Sequence, residues 1–408
     1  MTALFLPCAG GTEEWLAAEA ARVSGAPAQA VRGGVFVEGD ERTAMALNLH
    51  SRLAQRVLWP LADGPYRDEH DLYDLARAVP WPRWITPRQT LRVDVQAQRS
   101  PLRSLNFTVL RIKDAVCDTM REACGERPGV DTRAPDLPLV LYVGPDHATL
   151  YADTSGEALF KRGWRDAQGG RQAVKGEAPL KETLAAAMLA AAGWQGRAED
   201  GPLLDPFCGA GTIAIEAAQM ACGIAPGLQR RFAFERWIAF AALMPAWREM
   251  QQQARSAVHA PAVPVHAGDV SFRMTDFAAR NAARAGVAHA IEFKTADALQ
   301  RPPPCDRGTM VFNPPYGERI APKGRGQGGS SREDFEGGDA AAFFQALAAH
   351  WKRHYGGWTA WCLSPEMKLP SLLRLKESRR VPLWNGAIEC RLFRFDLVAG
   401  SARTAPPG

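Results

Sequence analysis

The sequence predicts an α/β protein whose C-terminal half is a doubly wound, mostly parallel sheet of seven strands, preceded by smaller α+β units. Three observations carry this. From residue 179, apolar runs of strand length alternate with amphipathic runs of helix length, the pattern of a parallel sheet covered by helices on both faces. The chain then reaches "RRVPLWNGAIECRLFRFDL", two β-like runs about Asn385-Gly386, a dipeptide that favours a tight antiparallel hairpin. Ahead of residue 156, short strands and helices follow one another without that regular alternation, as in α+β folds. At 408 residues the chain is too long for one typical core, so two or three domains are expected.

Residues 1–65 combine the strands "ALFLPC" and "GGVFVEG" with the helical runs "TEEWLAAEAARVSG" and "TAMALNLHSRLAQRVL", a small βαβ-like unit. Residues 66–155 continue in that style. "TLRVDVQAQ" alternates as a strand, "FTVLRIKDAVCDTMREACG" has helical periodicity with a closing glycine, and "LPLVLYVGPDHATLYADTS" is two strands around a turn. Residues 156–178, polar and glycine-rich from 161, read as a linker. One domain is then expected over 179–398. Its helices fall in "PLKETLAAAMLAAAG", "TIAIEAAQMACG", "SFRMTDFAARNAARAG" and "DAAAFFQALAAHWKRHYGG". Its strands fall in "GPLLD", "VPVHAGD", "IEFKTAD", "GTMVFN" and "WTAWCLS" before the hairpin, while the tryptophan-bearing stretch 224–262 offers no clean strand. Residues 399–408 read as a disordered tail.

Composition is that of a globular protein: 46% hydrophobic, 23% charged and 9% aromatic. No apolar run approaches the length of a membrane span. The N-terminus lacks a basic region and turns acidic at Glu13 and Glu14, so no signal peptide is expected. Eight cysteines are scattered without a C-x-x-C pair, which reads as the reduced thiols of a cytoplasmic protein and as neither a disulfide frame nor a zinc site. Net charge is +5. Residues 1–175 carry 22 basic and 22 acidic residues, so the remaining 27 against 22 holds the whole excess. Arginine, at 40 against 9 lysines, forks phosphates and stacks on bases, which suits RNA; a GC-rich coding sequence gives the same bias.

Chemistry concentrates in two places. "LLDPFCGAGTIAIEAA" sets Asp205 at a strand end and Gly209 and Gly211 in the turn before a helix, where glycines let backbone approach a ligand. Its G-x-G-x-x-A spacing also fits a dinucleotide loop, but Pro206 directly after the acid does not. D-P-F-C-G-x-G resembles the S-adenosylmethionine loop of base-amine methyltransferases, class I enzymes whose Rossmann-like sheet ends in an antiparallel hairpin. On that reading Asp205, Phe207, Gly209, Gly211 and Thr212 cradle the cofactor. Asp269, ending the next strand, takes the ribose hydroxyls, and Asp297, ending the one after, takes the adenine amine. Each aspartate alone reads equally as a helix N-cap.

The second place is "GTMVFNPPYGERI", where a buried strand breaks at Asn313. Asn313 would face the cofactor methyl. Its side-chain oxygen and the Pro314 carbonyl can each accept an N–H of an exocyclic amine, stabilising the charge that develops on nitrogen. Tyr316 offers a face for a flipped base. N-P-P-Y is the signature of methyltransferases acting on adenine N6, guanine N2 or glutamine. Together with "GGTEEWLAAEA", "SRLAQRVLWPL", "DLYDLARAVPW", "VDTRAPDLPLVLYV", "PLKETLAAAML" and "IAPGLQRRFAFERW", it makes nearly the whole chain resemble the RlmL family, bacterial 23S rRNA guanine-N2 methyltransferases. The resemblance implies a ferredoxin-like unit over 1–65, a THUMP domain gripping RNA over 66–155, S-adenosylmethionine as cofactor and 23S rRNA or a large-subunit assembly intermediate as partner. Some members continue into a second methyltransferase forming 7-methylguanine; in a chain of 408 residues that activity is expected to be missing. The insert 321–339 departs from the family pattern, and its glycines predict a flexible segment.

Other residues are weaker candidates. Arg99, Arg103, Arg111 and Lys113 cluster where a THUMP-region helix begins and read as RNA contacts or a solvated face. His350 and His354 lie four apart on a helix without a third ligand, so no metal is expected. Cys208 as a nucleophile conflicts with the direct transfer that N-P-P-Y implies. The alternatives left open are tRNA guanine-N2 methylation, DNA adenine-N6 methylation, a silent RNA-binding factor, and an NAD oxidoreductase whose ribose acid would lie near Glu235.

Overall fold

Residues 1–165, 180–314 and 337–398 are described by the computed structural model. Tyr316, most of the glycine-rich insert, residues 166–178 of the expected linker and the tail 399–408 lie outside them. By contact the chain forms two units: Met1–Cys8, Leu16–Arg162 and Ala225–Ser256 make the first, and Ala9–Trp15, Gly163–Ile224 and the chain from Ala257 make the second.

In the first unit β1 (Thr2–Pro7), α1 (Glu13–Ser24), β2 (Ala28–Val31), β3 (Gly34–Gly39), α2 (Glu41–His50) and β4 (Leu58–Pro65) are followed by α3 (Glu69–Arg77), β5 (Thr90–Ala97), α4 (Leu105–Cys124), β6 (Gly129–Val130), β7 (Leu137–Val143) and β8 (His147–Asp153). The strands form one eight-stranded sheet in the order β2-β3-β1-β4-β8-β7-β5-β6. The two N-terminal segments distinguished in the sequence thus share a sheet. The join is β4, which pairs antiparallel with β1 at Phe5↔Leu58 and along its whole length with β8. The register shifts between Pro60 and Ala62, next to a proline that has no N–H to give the ladder. Within 1–65 the pairing is antiparallel rather than βαβ-like, because β2 and β3 form a hairpin and β3 lies against β1.

The second helical run stops earlier than its periodicity predicts. The α2 helix ends at His50, and residues 51–57 are irregular. A buried carboxylate explains the break: Glu19 of α1 accepts the Ser51 hydroxyl at 2.6 Å and the amides of Arg52 at 3.0 Å and Leu53 at 3.2 Å. Those donors would otherwise be buried without acceptors, a larger loss than forgoing two turns of helix.

Next along the chain come α5 (Glu182–Ala192), β9 (Leu203–Asp205) and α6 (Thr212–Ala221) of the second unit, then α7 (Met244–Ser256), which belongs to the first, and then β10 (Val265–Asp269), α8 (Phe272–Arg284), β11 (Ile291–Thr295) and β12 (Gly308–Phe312) of the second. They are followed by α9 (Gly337–His354), β13 (Trp358–Ser364), α10 (Leu369–Leu373), β14 (Arg379–Asn385) and β15 (Ile388–Leu397). The sheet order is β11-β10-β9-β12-β13-β15-β14, parallel except for β15. The closing hairpin turns at Gly386 and Ala387, one residue later than the Asn-Gly pair suggests, with Asn385 paired to Ile388. Edge strand β14 is covered by residues 9–15: a Cβ on Gly11, whose φ is +82°, would stand 2.3 Å from the Pro382 carbonyl oxygen. Covering an edge in this way removes a template for association.

Residues 225–256, counted in the sequence with the 179–398 domain, pack in the first unit. Aromatic burial is the reason. Trp237 stacks edge-on against Trp84 at 5.8 Å and donates its indole N–H to Asp136 O at 2.8 Å, while Phe240 meets Trp59 at 5.9 Å. Arg230 donates to four backbone carbonyls, of Ser155, Glu157, Ala158 and Lys161. Part of the expected linker is therefore fastened down.

A chain truncated to begin at residue 156 would expose the face of 225–256 that Trp59 and Trp84 cover. It is expected to elute as aggregate in size-exclusion chromatography and to bind an apolar dye that the full chain does not. A monodisperse, dye-silent truncated chain would show that this stretch folds without the first unit.

Candidate active site

The sequence of connections fixes where a ligand can sit. From β9 the chain passes through α6 and the 225–256 excursion to β10 on one side of it, and β12 lies on its other side. The carboxyl end of β9 is thus the switch point of the sheet, where helices on opposite faces diverge and leave a crevice. At that edge Asp205 ends β9, Asp269 ends β10, Asp297 follows β11, and Asn313 and Pro314 follow β12. The structure therefore brings the three predicted acids and the Asn-Pro pair to one edge of one sheet.

The loop is shaped by its own backbone. Asp205 accepts the Phe207 amide at 3.2 Å, and the Gly211 amide bonds to Cys208 O at 2.7 Å. Gly209 and Gly211 adopt φ of +49° and +85°, which side-chain-bearing residues rarely take. The two serve differently. A Cβ on Gly211 would stand 3.0 Å from the Ala278 methyl, so that glycine lets α6 close on α8, whereas among the described residues nothing lies within 4 Å of a Cβ position on Gly209. Asp269 ties the loop to β10: it accepts the Gly209 amide at 3.1 Å and the Ser271 amide at 2.9 Å. Asp297 caps its own turn through the Leu299 amide at 2.9 Å.

Burial dominates the electrostatics. It pushes the Asp205 carboxyl up to about 8, with the Phe207 amide opposing, nearby Asp269 adding to the rise and Arg301 opposing. Burial also raises Asp269, against the two amides it accepts. The Cys208 thiol is raised far above its ordinary range by burial and then by Asp205 and Asp269, which keeps it un-ionised and unsuited to attack.

The other candidates are placed unequally. Thr212 begins α6, is 5% exposed and accepts from Arg165 at 2.8 Å. The Phe207 ring is half-buried and packs against the core through Phe312 at 5.5 Å and Phe343 at 6.1 Å. Asn313 is half-buried and Pro314 buried. In the first unit Arg99 and Arg103, on the segment between β5 and α4, are exposed, while Arg111 lies 4.3 Å over the Tyr73 ring and Lys113 pairs with Asp114 at 2.6 Å. Glu235, the acid an NAD reading would need, accepts the Phe232 amide in a turn of the first unit. His350 is engaged with the Arg301 carbonyl at 2.7 Å, and among the described residues no three His, Cys, Asp or Glu side chains form a metal-binding group.

Sequence reasoning missed Arg301, which is 4% exposed and donates to Ala267 O at 3.0 Å beneath the loop. A Cβ on Gly268 would stand 2.3 Å from its guanidinium, so the glycine one residue before Asp269 is the signal that a large group lies there. Arg165 and Asn281, which bond to Thr212 and to Ala210 O, were also missed; nothing in their local sequence marks them.

Comparison with known proteins follows the same outline. The "RMKL-like, methyltransferase domain" model matches residues 169–394, the THUMP domain model 66–153 and the RlmL ferredoxin-like domain model 3–58. Ribosomal RNA large subunit methyltransferase K/L of Shewanella baltica (strain OS195) is 34% identical over 412 residues, covering 100% of this chain and 55% of that protein. The Shewanella loihica protein of the same name is also 34% identical, with 54% of it covered. The chain thus spans about half the length of the curated relatives it matches. Among solved structures, a "possible methylase" from Clostridium difficile 630 superposes with a TM-score of 0.82 at 26% identity, covering 100% of this chain and 99% of that one. A "predicted N6-adenine-specific DNA methylase" from Listeria monocytogenes str. 4b F2365 gives 0.81 at 27%, covering 97% and 96%. With its catalytic-half model matched over more than half its length and a class I sheet behind THUMP and ferredoxin-like domains, the chain belongs to the RMKL-like methyltransferase family.

Proposed function

We propose that the chain is a methyltransferase that uses S-adenosylmethionine to methylate the exocyclic N2 of a guanine in 23S ribosomal RNA, acting in the cytoplasm. The observation that carries this reading is the convergence of Asp205, Asp269 and Asp297 with Asn313-Pro314 at one sheet edge. The residues fit such a cofactor: no described residue comes within 4 Å of a Cβ position on Gly209, and each Asp269 oxygen keeps a lone pair beyond the one that accepts an amide. Asp269 would receive the ribose hydroxyls and Asp297 the adenine amine.

When bound, the sulfonium supplies a methyl group already activated by positive charge. The chain's part is to bring the amine to it. Asn313 and Pro314 offer two oxygen acceptors that take the amine's N–H bonds and draw its lone pair out of conjugation with the ring. Pro314 lacks an N–H, so it offers no donor that would compete. Tyr316 is proposed to stack on the flipped base. Exposed Arg99 and Arg103 are the better RNA contacts of the four basic candidates, since Arg111 and Lys113 have partners in their own unit.

The same acceptors would serve an adenine amine in DNA, the substrate in the Listeria neighbour's title. The matches to THUMP and RlmL ferredoxin-like models, and the rRNA enzymes among the relatives, favour RNA.

Cofactor binding gives the first expectation. Asp269→Ala should weaken S-adenosylmethionine binding by about 1–3 kcal/mol, the loss of a charge-assisted acceptor. Calorimetry showing NADH binding and no S-adenosylmethionine signal would sink the reading.

Asp205 gives a pH dependence. Free protein holds its carboxyl protonated below about 8, and a cationic ligand favours the ionised form. Binding should therefore release a proton below that pH, and affinity should rise with pH until it levels near 8. Calorimetry in buffers of different ionisation enthalpy measures the release, and Asp205→Asn should lower it; equal release from wild type and variant would remove the carboxyl from the site.

Function itself is tested by mass mapping of 23S rRNA from a deletion strain, which should lack one methyl on one guanine. The wild-type gene should restore it. Asn313→Ala should bind S-adenosylmethionine normally but transfer about 100-fold more slowly in single turnover, the effect of losing one transition-state hydrogen bond. An Asn313→Ala protein at full rate would overturn the assigned role.

A further inference from the structure

Where the second unit resumes at Gly163, two consecutive residues reach the cofactor loop from outside it. Arg165 donates through one guanidinium nitrogen to Thr212 Oγ1 at 2.8 Å and to Leu180 O at 3.2 Å, and through Nε to the Glu182 carboxylate. Glu182 is 2% exposed, so its charge is buried and answered by this guanidinium. The carbonyl of the neighbouring Trp164 accepts Arg284 Nε at 3.0 Å. Arg284 also donates to Asn281 Oδ1, and Asn281, 1% exposed, gives its amide to Ala210 O at 2.9 Å. The bonds close a circuit: loop residue Ala210, α8 residues Asn281 and Arg284, then Trp164 and Arg165, then Thr212 at the far end of the same loop.

Resting on the S-adenosylmethionine reading, we propose that Arg165 is a positioning residue for the methyl donor, acting through Thr212 to hold the Gly209–Thr212 loop in its binding shape. Three facts single it out. The loop spans two glycines in left-handed conformations, so its unaided backbone has many alternatives to lose. The circuit pins that span on either side of Gly211, at Ala210 and at Thr212, with groups that are themselves buried or charged. The bond from Arg165 also takes a lone pair of Thr212 Oγ1, which leaves the hydroxyl proton to be donated elsewhere at the start of α6. Lysine cannot reproduce this. One guanidinium meets three acceptors at fixed angles, whereas an ammonium would satisfy the Glu182 charge and give up the fork.

The test is a double-mutant cycle on S-adenosylmethionine affinity, measured by calorimetry on the full chain. Arg165→Ala and Thr212→Val should each weaken binding about tenfold or more, the scale of one charge-assisted hydrogen bond. The double variant should bind no worse than the weaker single, because both remove the same contact. Arg165→Lys guards against simple unfolding: it should keep the wild-type melting temperature and still lose affinity. Losses that multiply in the double variant, or wild-type affinity in Arg165→Ala or Arg165→Lys, would overturn the role while leaving the donor assignment standing. A wild-type protein that bound no S-adenosylmethionine would take down the proposed reaction, and this role with it.

Discussion

Everything at the sheet edge depends on a turn of six residues between Asp205 and Thr212 that must leave a strand, make room for a ligand and start a helix. Backbone geometry permits it because Gly209 and Gly211 take left-handed angles. Those angles are held by contacts that reach across the sequence: the Asp269 carboxylate on the Gly209 amide, and the Gly268 carbonyl on the Cys208 amide at 2.7 Å. The lack of a Cβ at Gly211 also lets α6 and α8 come together, which places Asn281 against the loop. One turn thereby sets the direction of a helix, the approach of a second helix and the seat of a ligand.

The charges around that turn are arranged by burial more than by pairing. Asp205 sits in a site that favours its neutral form, and Arg301 sits beneath the loop with burial lowering its affinity for its proton. Neither is a conventional surface ion pair whose worth salt would erase. A ligand carrying positive charge alters this balance directly, because the carboxyl has little hydration to lose.

The catalytic sheet was legible in the sequence because each strand and helix there keeps one period, and because the acids and the Asn-Pro pair follow apolar runs that end where the strands end. The Asn-Gly hairpin was legible to within one residue. What could not be read has a common physical form. The break after His50 depends on Glu19, some thirty residues earlier; the placement of 225–256 depends on Trp59 and Trp84; and the clasp on the loop depends on Arg165 and Asn281, which lie on different elements. Phe207, read in the sequence as a loop residue for the ligand, also gives part of its ring to the core, which no local pattern shows. Local pattern reports an element's period, while these bonds between distant segments leave no trace in either.

The excursion at 225–256 constrains the order in which the protein can be finished during synthesis. A chain emerging from its N-terminus presents β1 to β8 first, and domains ordinarily close in that order. Here the aromatic side chains that complete the first unit's core are encoded after β9, the glycine loop and α6. The first unit therefore waits, with Trp59 and Trp84 uncovered, until the heart of the second has been made. Vectorial folding is interleaved in this molecule: neither half can be completed before the other has begun.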